Sequence, residues 1–398
     1  MTRATQTPPL LSALAPFDHR SRPRLVFGPG TLEKAGELAR ELGARSVLLV
    51  TDQGIVAAGH AARLQRHLEA AGLRVHLFDA VTENPTTRCV DACVALAKSA
   101  GIDTIVALGG GSSLDTAKGC NFLLSNGGEM RDYWGIGKAT KPMLPLIAIP
   151  TSAGTGSECQ SFALISDAQT HQKMACGDPK AAAAVAILDP ILTLSQPPRV
   201  TACAGIDAIA HAVETAVTTR RNVFSLMCSH EAFRLAATAL PLIFKDPQNL
   251  EARARMQLGA AFAGMAIENS MLGAAHSAAN PLTAHYDLPH GHAVGLMLPH
   301  VVRFNALDPA ACQSYASLAS SIELSTPGED RDQAAQHLVA FLARLLQLAG
   351  LPRCLAECNV DRTAIPALAE EAARQWTAGF NPRPITATTF VQLYESAF

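Results

Sequence analysis

Short apolar runs alternate with helical patterns in the first half of the chain. Four runs have the length and the β-branched content of buried strands, and they lie at 46–51, 75–78, 104–108 and 144–149. Residues 59–71 and 87–100, in the gaps, read as helices. This alternation predicts a parallel sheet covered by helices. Right-handed crossovers would then bring the loops that follow the strands to one edge, where ligands bind.

The pattern changes in the second half, where β-branched runs become rare. Beyond Pro197 and Pro198, long stretches rich in alanine and leucine take over, at 203–218, 224–244, 251–275 and 332–348. We interpret these stretches as helices. A boundary near residue 195 therefore separates an α/β domain from a helical domain, and residues 1–22 are expected to form a loose N-terminal tail.

Composition restricts the class of protein. The 398 residues carry a formal net charge of −2, and 48% of them are hydrophobic, which excludes disorder for most of the chain. Balanced charge also argues against nonspecific nucleic-acid binding. Ten cysteines diluted over this length exclude a small disulfide scaffold and favour free thiols in a reducing compartment. No window reaches the roughly 18 apolar residues of a membrane span. We expect a cytoplasmic protein without nucleic-acid or membrane partners.

The N-terminal residues leave one alternative open. Leu10, Leu11 and Leu14 are interrupted by prolines and do not form the continuous apolar segment of a secretory signal. The early basic residues, such as Arg3 and Arg20, are compatible with an organelle transit peptide. A loose tail is the interpretation that we prefer.

Two glycine-rich loops follow consecutive predicted strands. The first is Leu108-Gly-Gly-Gly-Ser-Ser-Leu-Asp115, and the second spans 150–158. The first is not a Rossmann fingerprint, because Leu114 stands where the third glycine belongs, and it is not a Walker motif, because no Gly-Lys-Ser/Thr follows. Glycines permit close backbone approach, and the N-terminus of the following helix attracts phosphate. Two such loops on neighbouring strands predict a phosphate or nucleotide site. Asp52, at the end of the first strand, would bind a ribose hydroxyl or cap a helix.

Histidines and one aspartate form a second constellation. Asp207 and His211 are four residues apart in an apolar helical stretch, so they share one helix face. His276 also has apolar neighbours, and His290 follows the break at Leu288-Pro289. One carboxylate and three imidazoles suit iron(II), zinc or nickel. Taken singly, each histidine is better explained as a hydrogen-bonded core or surface residue than as a ligand.

The motifs together resemble the iron-containing (group III) alcohol dehydrogenases, from about Phe27 to about Phe304. The matching segments are 27–30, 50–52, 109–115, 150–158, 205–214 and 288–291. The resemblance implies an N-terminal α/β dinucleotide-binding domain, with a parallel sheet flanked by helices, followed by an all-α C-terminal domain. This is the dehydroquinate synthase-like architecture. We predict the dinucleotide-binding domain at 23–195 and a helical metal-binding domain at 196–398.

The resemblance also implies roles for individual residues. The positions of the four metal ligands are Asp207, His211, His276 and His290, which would hold Fe2+, with Zn2+ or another divalent ion as an alternative. The positions of the cofactor-binding residues are Asp52, Gly109, Gly110, Gly111, Ser112, Asp115, Thr151 and Thr155. An acidic side chain at the position of Asp52 accepts a hydrogen bond from a ribose 2′-hydroxyl and repels a 2′-phosphate. It therefore favours NAD(H) over NADP(H).

One position departs from the family pattern. The family often has a second histidine four residues after the third metal ligand, where this chain has Asn280. An amide donates and accepts hydrogen bonds but does not relay protons near neutral pH. We expect Asn280 to orient substrate while water or ribose hydroxyls carry the proton. His285 is the alternative relay, although its spacing from His276 on a continuous helix points it elsewhere.

The resemblance implies a metal-dependent, NAD(H)-linked alcohol dehydrogenase or aldehyde reductase. Hydride would pass between a metal-bound alkoxide and nicotinamide, with a small alcohol or aldehyde as substrate and a homodimer as the expected assembly. Two alternatives remain at this stage. One is an NAD- and metal-dependent carbon–oxygen lyase of the dehydroquinate synthase type. The other is a nucleotide-binding protein whose catalysis is impaired by Asn280.

Overall fold

The computed structural model describes residues 16–170, 172–326 and 328–398. They form two compact units, Arg20–Gln196 and Pro197–Phe398, and the second also includes His19. Most of the predicted N-terminal tail, residues 1–15, lies outside the described residues. His19 stacks its ring on Phe224 with the centroids 3.7 Å apart.

The first unit is an α/β structure built on a six-stranded parallel sheet. The strands of this unit, in both of its sheets, are β1 (Arg24–Phe27), β2 (Ser46–Val50), β3 (Arg74–Phe78), β4 (Thr104–Gly109), β5 (Gly135–Ile136), β6 (Leu146–Pro150), β7 (Phe162–Ser166), β8 (Lys173–Gly177) and β9 (Val185–Leu188). Its helices are α1 (Ala35–Glu41), α2 (Gln53–Ala57), α3 (His60–Ala70), α4 (Thr87–Ala100) and α5 (Gly111–Asn126). The large sheet has the order β1-β9-β6-β4-β2-β3, and β5, β8 and β7 form a small separate sheet.

The large sheet is buried on both faces, as expected for a parallel sheet covered by helices. Strand β2 illustrates this, since all five of its residues are buried. Leu48 and Val50 pack into one hydrophobic cluster, while Val47 and Leu49 pack into the other. Strand β2 pairs with β4, and β4 pairs with β6. The three chain segments that carry the predicted cofactor residues therefore leave neighbouring strands at the same edge.

The regular elements of the second unit are all helices among the residues that the structure describes. Its helices are α6 (Pro198–Thr215), α7 (Val223–Lys245), α8 (Leu250–Ser270), α9 (Ala274–Tyr286), α10 (His290–Asn305), α11 (Pro309–Ser321), α12 (Arg331–Leu348), α13 (Ile365–Arg374) and α14 (Ala387–Ser396). Short 3-10 turns link some of them, among them Trp376–Phe380. The predicted fold class, an α/β part followed by an all-α part, is confirmed. No described helix is both long and apolar enough to cross a membrane.

The structure differs from the predicted pattern around residue 271. The single helix expected at 251–275 is two helices, because α8 ends at Ser270 and α9 begins at Ala274. Met271 adopts a positive φ of 81°, which terminates α8. Thr218 donates a hydrogen bond of 3.1 Å to the carbonyl oxygen of Ser270, and this contact with a distant residue helps to end the helix. The break gives His276 a position in the first turn of a new helix.

Candidate metal centre and nucleotide-binding edge

Helix α6 places a carboxylate and an imidazole side by side. Pro198 opens this helix, where its missing N–H has no cost. Asp207 and His211 are both 4% exposed, and His211 Nε2 lies 3.4 Å from Asp207 Oδ1. Their four-residue spacing puts the two side chains on one helix face. Burying a carboxylate costs free energy unless positive charge or hydrogen bonds compensate it. Asp207 therefore needs a positively charged or hydrogen-bonding group beside it.

Two further helices bring the other predicted ligands to the same oxygen. His276 is in the first turn of α9, and its Nε2 is 3.3 Å from Asp207 Oδ1. His290 is the first residue of α10, and its Nε2 is 4.0 Å from the same oxygen. Ring centroids are separated by 4.8 Å between His211 and His276 and by 5.4 Å between His276 and His290. The three imidazoles therefore lie around one carboxylate oxygen of the fourth predicted ligand, Asp207.

A glycine lets α10 approach α6 closely enough for this arrangement. A Cβ at Gly291 would lie 2.0 Å from the carbonyl oxygen of Cys203 and 3.1 Å from the Cβ of Asp207. Only a residue without a side chain fits between the two helices there. Because Gly291 follows His290 directly, the close approach also determines how near the His290 ring comes to Asp207.

The residues present fit a divalent metal ion. Donor atoms of Asp207, His276 and His290 all lie within 4.8 Å of one another. Asp207 Oδ1 and His276 Nε2 are buried without a hydrogen-bond partner among the described residues, which is unusual for buried polar atoms. Metal bonds of about 2.1 Å to nitrogen and oxygen require donors about 3.0–3.4 Å apart. The observed distances to Asp207 Oδ1, from 3.3 to 4.0 Å, need only a small contraction.

The electrostatics of the cluster agree with this assignment. Burial by itself raises the pKa of Asp207, but the imidazoles of His211, His290 and His276 outweigh it and hold the pKa below its ordinary value. Burial lowers the pKa of His276, whereas the carboxylates of Glu214 and Asp207 raise it, with a net result of about 9. The cluster thus keeps its central carboxylate charged and compensates it with positive charge.

Glu214 also belongs to the site, although the sequence pattern did not indicate it. It lies on α6 and is 3% exposed. Its Oε2 is 2.5 Å from His276 Nδ1, and its Oε1 accepts a 2.7 Å hydrogen bond from the N–H of Ala275. The available signal was its spacing, because Glu214 is seven residues after Asp207 and three after His211 on the same helix face.

The two predicted proton-path residues lie on α9 and have other partners. Asn280 is one turn after His276, and its Nδ2 donates a 3.1 Å hydrogen bond to Gln375 Oε1. His285 is half-exposed, and its Nε2 lies 2.9 Å from a carboxylate oxygen of Glu371. The structure thus fixes the Asn280 amide through Gln375 and places the His285 ring in hydrogen-bond contact with Glu371 at the surface.

In the α/β unit, the two glycine-rich loops lie side by side. Gly109 ends β4 with a φ of +151°, a conformation that favours glycine, and its carbonyl oxygen accepts a 3.0 Å hydrogen bond from the N–H of Thr151. A Cβ at Gly111 would lie 2.9 Å from Thr155 Cγ2. The first loop thus packs directly against the second.

Helix α5 begins inside the first loop and offers an N-terminus for an anion. Gly110 is its N-cap and makes no side-chain capping bond. Ser112 lies in the first turn, where its carbonyl oxygen accepts a 2.8 Å hydrogen bond from Thr116 Oγ1. Backbone N–H groups at a helix start, with the positive end of the helix dipole, attract phosphate.

Asp52 lies beside the first loop. Its Oδ1 accepts a 3.0 Å hydrogen bond from the N–H of Ile55 and so caps α2. Its Oδ2 is 3.3 Å from Ser113 Oγ, and a Cβ at Gly109 would lie 3.2 Å from that same oxygen. The capping role that the sequence left open is therefore present, and the carboxylate also lies next to the glycine loop.

Asp115 is hydrogen-bonded to the second glycine loop. Its Oδ1 accepts a 2.7 Å hydrogen bond from Ser157 Oγ, and its Oδ2 accepts one of 3.1 Å from the N–H of Leu164. The fully buried Lys118 donates to the carbonyl oxygen of Ser157 at 2.6 Å and to that of Phe162 at 2.8 Å. Both carboxylate oxygens of Asp115 thus accept hydrogen bonds from the protein, one from the loop that carries Thr155 and one from strand β7.

Comparison with families of known proteins gives matches in both units of the chain. Residues 22–190 match the family described as iron-containing alcohol dehydrogenase, and residues 201–398 match its C-terminal domain. The chain belongs to the iron-containing alcohol dehydrogenase family. The predicted function, an oxidoreductase that acts on CH–OH groups as an alcohol dehydrogenase or aldehyde reductase, is confirmed at the level of this family.

Individual relatives cover nearly the whole chain. Alcohol dehydrogenase 4 of Saccharomyces cerevisiae is 34% identical over 376 residues, which are 94% of this chain and 97% of the relative. The NAD-dependent methanol dehydrogenase of Bacillus methanolicus is 32% identical over 375 residues, 94% of this chain and 98% of that enzyme. The crystal structure of a 1,3-propanediol oxidoreductase superposes with a TM-score of 0.93 at 33% identity, covering 96% of this chain and 100% of the other.

Proposed function

We propose that this member of the family interconverts alcohols and aldehydes with NAD(H) at a divalent metal centre held by Asp207, His211, His276 and His290. Fe2+ is the ion that the family description favours, and the same donors accept Zn2+ or another divalent ion. The convergence of three imidazoles on one buried carboxylate oxygen is the observation that carries the proposal. No other role for that oxygen is visible among the described residues, since it has no hydrogen-bond partner there.

A bound metal supplies Lewis acidity, which polarises an alcohol or carbonyl oxygen. The residues of the chain exclude water from the site and orient the substrate. Burial of Asp207 and His276 excludes water and strengthens the electrostatic interactions of the site. Asn280, one turn further along α9, has its Nδ2 committed to Gln375, which leaves its Oδ1 as an acceptor for a substrate hydroxyl. We propose that Asn280 orients the substrate and that His285, paired with Glu371, is at most an indirect participant.

We propose that NAD(H) binds along the edge formed by the two glycine loops. Gly109, Gly110, Gly111 and Ser112 would hold the pyrophosphate at the start of α5, with Thr151 and Thr155 contributing from the second loop. Support comes from the packing of the two loops against each other and from the NAD dependence in the name of the methanol dehydrogenase relative. The carboxylate of Asp52, which lies beside Gly109, would accept a hydrogen bond from the ribose 2′-hydroxyl and repel the 2′-phosphate of NADP(H).

Asp115 has a different part in this proposal. It was expected among the cofactor-binding residues, and its hydrogen bonds go to Ser157 Oγ and to the N–H of Leu164. We propose that it acts as a positioning residue that holds the second glycine loop in place for the cofactor.

We also propose the domain division 23–195 for the dinucleotide and 196–398 for the metal, and a cytoplasmic homodimer as the working form. The ten cysteines are free, eight of them buried, which supports a reducing compartment. Light scattering during size-exclusion chromatography tests the dimer, because a monomeric mass at working concentration contradicts it.

Turnover of nicotinamide tests the reaction. Protein purified anaerobically and reconstituted with Fe2+ should oxidise NADH in the presence of short-chain aldehydes and reduce NAD with the matching alcohols. Metal-free protein should do neither. A protein that binds NADH but oxidises none of the aldehydes, even with Fe2+ restored, contradicts the proposal and supports the nucleotide-binding alternative. Substrate turnover without net change in nicotinamide absorbance supports the lyase.

A further inference from the structure

We infer that Glu214 is a positioning residue that fixes the tautomer of His276, with the proton on Nδ1, so that Nε2 offers its lone pair to the metal. The inference rests on the proposed metal centre and goes beyond it, because it assigns a function to a residue outside the ligand set. It begins from the 2.5 Å contact between Glu214 Oε2 and His276 Nδ1. A carboxylate can only accept a hydrogen bond, so the imidazole nitrogen that faces it must carry the proton.

The surroundings of Glu214 prevent its carboxylate from turning away. Its second oxygen accepts the N–H of Ala275 at 2.7 Å, so both oxygens are committed to the first turn of α9. The side chain is almost completely buried, as is that of His276. A Cβ at Gly273 would lie 3.2 Å from Glu214 Oε1 and 3.3 Å from Asn381 Oδ1, so the start of α9 fits closely around the carboxylate.

The position of Glu214 on α6 couples two ligands through one rigid element. Asp207, which lies seven residues earlier on this helix, contacts His276 Nε2 at 3.3 Å, while Glu214 contacts Nδ1 of the same ring. Two carboxylates of α6 therefore contact the His276 imidazole, one at each ring nitrogen. Hydrogen bonds from a carboxylate to the second nitrogen of a metal-binding histidine fix ring orientation and tautomer, and their loss typically reduces metal affinity about 10–100-fold.

The variant Glu214→Gln distinguishes the positioning of His276 from a simple packing role. Glutamine keeps the shape of the glutamate side chain, but it replaces one acceptor oxygen with an NH2 donor. The amide has one oxygen and one NH2 group. If its oxygen keeps the bond from the N–H of Ala275, its NH2 group faces His276 Nδ1 and can only donate to it. The imidazole proton must then move to Nε2, the nitrogen that should bind the metal. We expect metal affinity to fall about 10–100-fold.

The experiment measures Co2+ affinity of the full chain by competition with a chelator, followed through the d–d absorption of bound cobalt. Glu214→Asp, which retains a carboxylate, should recover part of the affinity lost in Glu214→Gln. Ser277→Ala is the matched control, because Ser277 lies on α9, is buried, and bonds to Thr377 and to the carbonyl oxygen of Gly273. It removes buried hydrogen bonds without touching His276 Nδ1, so its Co2+ affinity should stay within about threefold of the wild type.

Nitrogen-15 NMR of the histidine side chains in the metal-free wild-type protein provides a second, independent readout. A neutral His276 should carry its proton on Nδ1, and this result supports the inference even if Glu214→Gln does not fold. The spectra are recorded above pH 9, because the pKa of His276 is raised to about 9 and the ring is neutral only above it. A neutral His276 with its only proton on Nε2 overturns the inference. If the wild type binds Co2+ and Glu214→Gln binds it equally well, the inference is wrong and the proposed function stands. If the wild type binds no Co2+, the proposed metal centre itself is wrong.

Discussion

Adding one methyl group at Gly291 should disturb the metal centre more than its size suggests. The new Cβ in Gly291→Ala would lie 2.0 Å from the carbonyl oxygen of Cys203, whereas real Cβ contacts essentially never fall below 3.0 Å. The difference of 1.0 Å is the smallest displacement that removes the clash. Because the opposing atoms belong to the backbone of α6, they cannot rotate aside, and α10 must move as a body.

This displacement acts directly on a predicted ligand. His290 precedes Gly291, and its Nε2 is 4.0 Å from Asp207 Oδ1. Metal–ligand distances tolerate deviations of only about 0.2 Å, so a shift of this size should weaken metal binding at least about tenfold. Overpacking should also lower the free energy of unfolding of the metal-free protein by about 1–3 kcal/mol. The better helix propensity of alanine offsets about 1 kcal/mol of this loss.

Gly295→Ala is the matched control, one turn further along α10. Its Cβ would lie 2.7 Å from Ile206 Cγ2 and 3.1 Å from Leu346 Cδ2, which are side-chain atoms and not backbone atoms. Chelator competition measures metal affinity, and thermal unfolding in chelator measures the stability of the metal-free protein. We expect both variants to lose some stability but only Gly291→Ala to lose metal affinity. Wild-type metal affinity in Gly291→Ala, or equal losses in the two variants, would refute the reasoning.

Three further predictions concern single side chains. Asn280→His should add an ionisation near the ordinary histidine pKa of about 6.5 to the pH–rate profile; an unchanged profile excludes position 280 from the proton path. Asp52→Asn keeps a capping oxygen for α2 but removes the charge, so the preference for NAD over NADP in kcat/KM should fall about tenfold, and an unchanged ratio contradicts the ribose assignment. Burial raises the pKa of Glu158 from 4.5 to about 7, so the free energy of unfolding should fall as pH rises from about 4.5 to about 7, with a total effect on the order of 3 kcal/mol. Glu158→Gln should remove this dependence in urea unfolding at pH 5 and pH 8, and a persistent slope shows that another group causes it.

The sequence was most informative where periodicity is strong. The strand at β2 and the helix at α4 were predicted within one residue of their observed bounds, because buried parallel strands and amphipathic helices have distinct patterns. The small sheet of β5, β7 and β8 was not predicted. Its strands are short, as little as two residues in β5, and they do not alternate clearly between apolar and polar positions.

The break between α8 and α9 shows a limit of local pattern. The stretch around Met271 is rich in alanine and contains no proline, so it is typical of a continuous helix. The observed end depends on Met271 in a positive-φ conformation and on the distant hydroxyl of Thr218. Contacts between residues far apart in sequence override propensity here, and no local pattern encodes them.

Part of the candidate site follows from local spacing in the sequence, and part of it depends on how distant helices pack. The spacing of Asp207 and His211 predicted that they share a helix face, and the structure has them 3.4 Å apart. The approach of His276 and His290 from other helices could only be inferred from the family resemblance, because it depends on how α9 and α10 pack. Glu214 was overlooked because an acidic residue near the end of an apolar helix is ordinarily a solvated one, whereas here it is buried.

Metal content of the wild type and of His276→Ala, measured together with NADH turnover, is the most direct test that the four ligands hold the metal used in the reaction. Protein purified anaerobically and loaded with Fe2+ should hold one ion per chain and reduce aldehydes. His276→Ala should fold, as judged by circular dichroism, but lose both the stoichiometric metal and the turnover. A folded His276→Ala that retains one Fe2+ per chain and the wild-type rate would contradict the account.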